Sequence, residues 1–264
     1  MKKIGIFCIS FMLFVLVMSG CSTNEESKKE EAGTEKVELT ISAAASLQDA
    51  INEIKTAYEK ENSNVKINLN FGASGALQQQ ISKGAPVDLF FSAAEDKFDQ
   101  LVDEKLIEKD KGIDLLGNEI VLVVPQDSDQ SIKEFEDLPK AKKIAIGTPE
   151  TVPAGQYGKE MLENLGVWKD SEEKVVYAKD VRQVLTYVET ENVDAGIVYK
   201  TDALTSEKVK ITATASEDTH TPIIYPVGVI KESSHLEEAN DFYEYLQTEK
   251  AMEIFVKYGF ADIN

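Results

Sequence analysis

The segment FGASGALQQQISKGAPVDLFFSA, residues 71–93, combines a strand end, a helix and a second strand. The apolar run that ends at Phe71 is followed by small residues, and Ser74 stands just before the apolar Leu77 of a helical pattern. Gly84 is typical of a helix end, and VDLFFSA is typical of a buried strand. This β-α-β order predicts a parallel sheet that is covered by helices.

The same alternation of strands and amphipathic helices continues along the chain, in two series. The last part of the chain, residues 226–264, can return to the sheet of the first series. This predicts two lobes joined by two crossings, near Asn118 and Tyr225. The predicted boundaries are 37–118 plus 226–264 for lobe 1 and 119–225 for lobe 2. Each lobe of this α/β fold is expected to contain a mostly parallel sheet flanked by helices.

The first twenty residues are typical of an export signal. Lys2 and Lys3 precede an apolar run, residues 4–18, that is too short to span a bilayer comfortably. Ser-Gly-Cys closes the run, which predicts a lipoprotein signal peptide (1–20) with Cys21 as the lipidated residue; an ordinary signal peptide or an uncleaved anchor is the alternative. The polar residues 21–36 predict a flexible tether, and the protein is expected on the extracellular face of the cell membrane.

Charge and composition exclude several classes of function. The formal net charge is -19, and such a surface repels nucleic acid and anionic membrane. Cys8 lies in the signal segment, so the exported domain is expected to have no disulfide, no thiol nucleophile and no cysteine metal site. His220 and His235 lack HExxH spacing, and no metal cation site is predicted.

Several predicted strands end at a small or hydroxyl residue that begins a helix. Ser46, Ser74, Thr151 and Asp180 occupy such positions, and Asp49 would complete a weak capping box with Ser46. A helix start has free N–H groups and a partial positive charge, so each is also a potential anion site. Capping alone is the simpler explanation for any one of them. The small residues at 72–75 and 153–155 favour an open backbone that a ligand can approach.

Three residues allow more than one interpretation. Ser74 as a nucleophile would need G-x-S-x-G and a histidine, whereas the order here is G-A-S-G-A, so an exported serine hydrolase is disfavoured. Arg182 is either a charged clamp on an anion or a surface or inter-lobe ion pair. Tyr199 is either an aromatic cap on a buried strand or a hydroxyl donor in an inter-lobe cleft. No catalytic residue is predicted.

Seven motifs carry a resemblance to a known family. They are AAASL, FGASGALQQQI, GAPVDLFFSA, LLGNEIVLVVP, GTPETVPAGQYGKE, KDVRQVL and DAGIVYKTDA. In order and spacing they resemble the molybdate-binding proteins of ABC-type importers, from about Val37 to the closing VKYGF. The resemblance implies a two-lobed periplasmic-binding-protein fold that closes on tetrahedral molybdate or tungstate and delivers it to a membrane permease.

The resemblance also implies how the ligand is held. Ser46, Ser74 and Tyr199 would offer hydroxyl groups, and Ala154 and Val181 would offer backbone N–H groups. No cofactor and no cationic side chain are implied, molybdenum entering only as the bound oxyanion, and a monomer is expected. Sulfate or phosphate remains an alternative ligand, because these tetrahedral anions use a similar set of donors.

Overall fold

In a computed structural model, the described residues are 36–128 and 132–263. The predicted signal peptide, Cys21 and nearly all of the predicted tether lie outside them. The chain from Glu35 onward forms one compact unit. Within the described ranges, no helix has both the length and the apolar character that a membrane crossing requires.

The strands, in chain order, are β1 (Val37–Ala44), β2 (Val65–Gly72), β3 (Leu89–Phe91), β4 (Ile107–Gly117), β5 (Ile120–Pro125), β6 (Ile144–Gly147), β7 (Val175–Ala178), β8 (Ala195–Tyr199), β9 (Val209–Thr214), β10 (Ile224–Ile230) and β11 (Ala261–Asp262).

The helices, in chain order, are α1 (Gln48–Glu61), α2 (Ser74–Ser82), α3 (Glu95–Asp103), α4 (Pro153–Asn164), α5 (Trp168–Ser171), α6 (Val181–Glu189), α7 (Lys200–Ala203), α8 (Leu236–Leu246) and α9 (Glu249–Lys257). Short 3-10 turns cover Ala45–Leu47, Phe135–Lys140, Glu172–Lys174 and Glu217–Thr219.

The helices are amphipathic and bury one face against a sheet. In α6, the buried residues Val181, Val184, Leu185 and Val188 recur at intervals of three and four and so form one stripe. The helix packs this stripe on the strands β6 and β8. Burying a valine or leucine side chain contributes about 1.5–3 kcal/mol relative to leaving it exposed. That packing holds the start of α6 in place at the end of the sheet.

Two sheets form the two lobes. The first has the order β11-β4-β10-β3-β1-β2 and the second has the order β7-β6-β8-β5-β9. In each sheet the pairs at one side are parallel, such as β1 with β2 and β6 with β7, and those at the other side are antiparallel, such as β10 with β4 and β5 with β9. The predicted two-lobed α/β fold is confirmed, but its sheets are mixed where mostly parallel ones were predicted. Among the described strands, three of the five pairs in the first sheet and two of the four in the second are antiparallel, because the strands that flank the two passages between the sheets run against their neighbours.

The chain passes twice between the sheets. The first passage lies between β4, which ends at Gly117, and β5, which begins at Ile120; the second lies between β9 and β10. These passages fall close to the predicted crossings at Asn118 and Tyr225. The exact lobe boundaries stay a prediction, because the strands fix only where each sheet ends.

Apolar residues at helical spacing in FDQLVDEKLI, residues 98–107, predict a helix over the whole stretch, and this prediction is wrong at its end. The helix α3 ends at Asp103, and the backbone of Lys105 is left-handed, with φ of 62°. The N–H of Leu106 donates to the carbonyl of Leu101, which is the hydrogen bond of a closing helix turn. The apolar residues after this turn therefore start β4, which pairs with β10 of the same sheet.

Candidate functional site

A small cavity lies between the two lobes, at the carboxyl ends of β1, β2 and β8. Ser46 and Ser74 line it from lobe 1, Ala154 and Val181 line it from the starts of α4 and α6, and Tyr199 lines it from the end of β8. The structure therefore brings all five residues that were predicted to bind a ligand to one cavity. Their role in binding stays a prediction.

The cavity is small and uncharged. Its volume is about 10 Å³, the room of about one water molecule. Among the described residues that line it, none is Asp, Glu, Lys, Arg or His. A larger open groove lies elsewhere on lobe 1, between β4 and α9, but strand ends do not converge there. A ligand larger than a water molecule therefore needs the lobes to separate slightly from this arrangement.

Ser46 does not cap a helix, so that prediction is wrong. It lies inside the 3-10 turn Ala45–Leu47, and α1 begins only at Gln48. Its Oγ is 2.9 Å from the hydroxyl of Tyr225, and its side chain is almost fully buried. Asp49, the predicted partner in the capping box, instead contacts Arg182. The tight turn after β1 thus directs the Ser46 side chain into the interior.

Ser74 also differs from its predicted capping role. It is the first residue of α2, Ala73 precedes it as N-cap, and no side chain caps this helix. The Ser74 Oγ accepts a hydrogen bond from the backbone N–H of Ala93, at 2.9 Å. Because this bond uses an acceptor site on the oxygen, the hydroxyl proton of Ser74 remains available for a ligand.

Two further helices begin at the cavity and present their first N–H groups there. Pro153 is the first residue of α4 and has no N–H, so Ala154 carries the first N–H of that helix. Val181 begins α6, whose N-cap Asp180 accepts the N–H of Gln183 at 2.8 Å. The predicted cap at Asp180 is confirmed. First-turn N–H groups have no partner within their helix, and they carry its partial positive charge.

Thr151 is not a cap, because Val152 occupies the N-cap position of α4. The carbonyl of Thr151 instead accepts a hydrogen bond of 3.0 Å from the N–H of Gly75, on the other lobe. This bond closes the lobes over one side of the cavity.

Tyr199 ends β8 with its side chain almost completely buried. Its hydroxyl lies 3.4 Å from the carbonyl oxygen of Ala93 across the lobes, which is long for a hydrogen bond between oxygens. Burial first, and then the neighbouring tyrosine Tyr225, raise the pKa of Tyr199 well above its usual value. The hydroxyl is therefore neutral and keeps a proton that it can donate to a better acceptor.

Arg182 is an inter-lobe ion-pair residue and does not line the cavity. Its guanidinium contacts the carboxylate of Asp49 on lobe 1, and its Nε lies 2.8 Å from Oδ1 of Asp202 on lobe 2. The carboxylate of Asp49 therefore compensates its charge, and the buried carboxyl group of Asp202 lies beside it. Of the two interpretations that the sequence allowed, the structure favours the ion pair over the clamp.

The small residues around the helix starts make room for protein backbone. A Cβ added to Gly75 would lie 2.9 Å from both the Cα and the carbonyl oxygen of Thr151. A Cβ on Gly155 would lie 2.0 Å from the carbonyl oxygen of Gly147, between α4 and β6. The first glycine permits contact between the lobes, and the second permits close packing of a helix on its strand. Their predicted role as open space for a ligand is wrong at these two positions.

Two residues that support the site were not found from the sequence. Tyr225 and Asn118 lie behind Ser46, and the Nδ2 of Asn118 donates to the Tyr225 hydroxyl at 3.0 Å. In the sequence, Tyr225 stands in an apolar strand and looks like a core aromatic. Because Tyr225 is far from Ser46 along the chain, no local sequence pattern indicates that the two side chains are in contact.

The site lacks the partners of a serine nucleophile. The chain has two histidines, and neither His220 nor His235 is among the described residues that line the cavity. His220 lies beside Tyr157, and its ring nitrogen contacts the carbonyl of Thr221. A general base for Ser74 is therefore absent from this part of the described chain.

Comparison with protein families gives a match to the bacterial extracellular solute-binding proteins over residues 39–261. A Bacillus subtilis protein, YvgL, is 57% identical over 260 residues, which cover 98% of this chain and 98% of the relative. Its name marks it provisionally as an ABC transporter substrate-binding lipoprotein. The molybdate-binding protein ModA of Escherichia coli is 41% identical over 229 residues, which cover 84% of this chain and 88% of the relative.

The fold is also similar to solved structures. The substrate-binding domain of a provisionally assigned molybdenum ABC transporter from Clostridium difficile superposes with a TM-score of 0.67 and 45% identity. The match covers 87% of this chain and 100% of that one.

Proposed function

Because this chain belongs to the bacterial extracellular solute-binding proteins, we propose that it captures molybdate or tungstate between its lobes and delivers the anion to an ABC permease. The similarity to a molybdate-binding protein from Escherichia coli supports this choice of ligand. The observation that carries the proposal is the cavity itself, which is uncharged and surrounded by hydrogen-bond donors from both lobes.

The donors fit a small dianion. The hydroxyls of Ser46, Ser74 and Tyr199 and the first N–H groups of α4 and α6 border the same cavity. Hydrogen bonds to an ionised acceptor are about twice as strong as neutral ones, and they strengthen further in a dry site. The helix starts add partial positive charge without any cationic side chain. A protein with a net charge of -19 can bind an anion in this way, because the local donors outweigh the distant surface charge.

The protein acts by binding, without catalysis. Its family consists of solute-binding proteins. The bond from the Ala93 N–H to Ser74 Oγ suits a hydroxyl that donates to a ligand, and neither histidine is placed to remove its proton.

The proposal includes the location of the protein. Residues 1–20 direct export, and Cys21 carries the lipid that anchors the chain to the extracellular face of the membrane, where the protein acts as a monomer. The name of the Bacillus subtilis relative includes the word lipoprotein, which supports the anchor. The substitution Cys21→Ser tests it: the variant is expected in the soluble fraction, and an unchanged membrane fraction contradicts the anchor.

The proposed ligand is tested by thermal unfolding of the chain from residue 21, with molybdate, tungstate, sulfate and phosphate at equal concentrations. A ligand that binds the folded state raises the melting temperature in a concentration-dependent manner. We expect increases with molybdate and tungstate and none with the other two anions. An increase with sulfate or phosphate alone overturns the choice of ligand, and no increase with any of them overturns the anion site.

A further inference from the structure

A chain of hydrogen bonds leads from lobe 2 to the hydroxyl of Ser46. The Nδ2 of Asn118 lies 2.9 Å from Oγ1 of Thr201 and 3.0 Å from the hydroxyl of Tyr225. The Tyr225 hydroxyl lies 2.9 Å from Oγ of Ser46. Ser46, Thr201 and Tyr225 are each at most 3% exposed, so these groups depend on one another for their hydrogen bonds.

The direction of the first bonds is determined by Asn118. Its Oδ1 accepts the backbone N–H of Glu119 at 2.9 Å, which identifies the other terminal atom as the amide nitrogen. A side-chain amide nitrogen donates two hydrogen bonds and accepts none. One of its hydrogens therefore goes to Thr201 and the other goes to Tyr225.

The direction of the next bond follows from the burial of Tyr225. Its hydroxyl oxygen accepts from Asn118, and its own proton needs an acceptor. Among the described residues, two other oxygens are close to it, the hydroxyl of Tyr199 and Oγ of Ser46. In addition to burial, the hydrogen bond with Tyr225 raises the pKa of Tyr199, so Tyr199 is the donor there and Ser46 Oγ, at 2.9 Å, is left as the acceptor. A proton directed elsewhere would be buried and unpaired, at a cost of about 1–3 kcal/mol. Tyr225 therefore donates to Ser46, and the proton of the Ser46 hydroxyl is left to point into the cavity.

We propose that Tyr225, held by Asn118, is a positioning residue that makes the hydroxyl of Ser46 a donor to the bound oxyanion. This inference rests on the proposed function, because it assigns a task to a residue behind the anion site. The hydrogen bonds from Asn118 through Tyr225 to Ser46 form a relay. If the Tyr225 proton points elsewhere, the Ser46 hydroxyl donates backwards to Tyr225 and turns a lone pair toward the anion, which repels it. If the Tyr225 hydroxyl is absent, nothing holds the Ser46 hydroxyl in the orientation that donates to the anion.

The relay also depends on how the lobes are arranged. Asn118 lies in the first passage between the sheets, Thr201 lies in α7 of lobe 2, and Tyr225 lies at the beginning of β10. The Ser46 donor is therefore oriented through the hinge region. An arrangement of the lobes that separates Asn118 from Tyr225 also releases the orientation of the donor.

A purely structural role for Tyr225 makes a different prediction. Its ring packs edge-on against Tyr199, with centroids 5.7 Å apart, and against Phe260, with centroids 5.4 Å apart. The substitution Tyr225→Phe keeps this ring packing and removes only the hydroxyl. If the ring alone matters, the affinity for molybdate is unchanged.

The test is a double-substitution cycle measured by calorimetric titration of molybdate. We expect Tyr225→Phe to weaken binding about tenfold, which corresponds to about 1.4 kcal/mol. In a Ser46→Ala background the same substitution is expected to have no further effect, because Tyr225 acts through Ser46. The control Tyr58→Phe changes a buried tyrosine that packs on Phe242 away from the cavity, and it should leave the affinity unchanged.

A second variant keeps the test informative if Tyr225→Phe does not fold. Asn118→Asp places an acceptor where the amide donated, so the Tyr225 proton turns away from Ser46. We expect a loss of at least about tenfold, the loss expected for Tyr225→Phe. The loss should be smaller in a Ser46→Ala background, because only the added negative charge then acts on the anion.

The outcomes separate the two proposals. If the unsubstituted protein does not bind molybdate, the proposed function fails. If it binds and Tyr225→Phe binds equally well, or if the two substitutions are additive, the relay is wrong. Equal losses for Asn118→Asp in the presence and absence of Ser46 also contradict it.

Discussion

The guanidinium of Arg182, on lobe 2, contacts the carboxylate of Asp49, on lobe 1, and so forms an ion pair between the lobes. Arg182 directly follows Val181, which lines the cavity, and Asp49 lies on the first turn of α1, just after the turn that contains Ser46. Neither charged side chain lines the cavity. The pair therefore stabilises this arrangement of the lobes from outside the cavity.

The substitution Asp49→Asn tests this contact, because it removes the inter-lobe pair and leaves Arg182 beside Asp202. We expect molybdate affinity to fall about two- to fivefold, since a partly exposed ion pair contributes about 0.2–1 kcal/mol. The difference should shrink at high salt, which screens exposed charges. The control is Glu53→Gln, on the same helix, because Glu53 pairs with Lys257 within lobe 1. Equal affinities of Asp49→Asn and the unsubstituted protein at low salt would contradict the role.

The two serines of the cavity are expected to contribute directly to affinity. Ser46→Ala and Ser74→Ala should each weaken molybdate binding by about 1–3 kcal/mol, because each removes a hydrogen bond to a charged group. Calorimetric titration measures the effect. Ser82→Ala, at the other end of α2, is the matched control and should bind normally. Unchanged affinity in both cavity variants would exclude these residues as ligands.

The substitution Gly75→Ala should weaken molybdate binding without lowering the stability of the ligand-free protein. In Gly75→Ala the new Cβ would lie 2.9 Å from the backbone of Thr151, so the lobes cannot close as far. We expect molybdate affinity to fall about tenfold or more, which corresponds to about 1.4 kcal/mol or more of lost closure energy. The ligand-free protein should unfold at the same temperature or higher, because alanine is a better helix residue than glycine. A variant that binds normally would show that this contact is dispensable for closure.

Asp202 should make stability fall with rising pH. Burial raises the pKa of Asp202 to about 7, and the guanidinium of Arg182 only partly opposes this shift. In the unfolded chain the pKa is about 3.9. The folded state therefore holds the proton more tightly, and the stability that protonation contributes is fully present below about pH 4 and is lost as the pH rises to about 7.

The substitution Asp202→Asn removes this dependence. Its unfolding free energy, relative to that of the unsubstituted protein, should rise between pH 4.5 and 7.5, which urea unfolding measures. Asp137→Asn should show no such rise between pH 4.5 and 7.5, because the hydrogen bond from Lys140 lowers the pKa of Asp137 and this side chain is ionised in both the folded and the unfolded state over that range. Parallel pH profiles for Asp202→Asn and the unsubstituted protein would contradict the raised pKa.

Much of the local structure could be predicted from the sequence, because it depends on neighbours along the chain. The repeated order of strand and helix indicated two α/β lobes, and Asp180 was identified as a cap. Ser46, Ser74 and Tyr199 were placed at strand ends, the family resemblance added Ala154 and Val181, and all five line one cavity. Helix periodicity, cap chemistry and strand runs are set within a few residues, so each leaves a readable pattern.

The tertiary structure decided how those pieces meet. Ser46 and Ser74 look like caps in the sequence, yet their oxygens bond to Tyr225 and to the Ala93 N–H. Gly75 serves the contact with Thr151 on the other lobe. These relationships join residues far apart in the chain, and they exist only because two sheets, linked by two short passages, bring the lobes together. The sequence by itself determined which groups are available at the strand ends. The packing of one lobe on the other decided which way each group points, because every buried donor needs an acceptor that only the folded chain supplies.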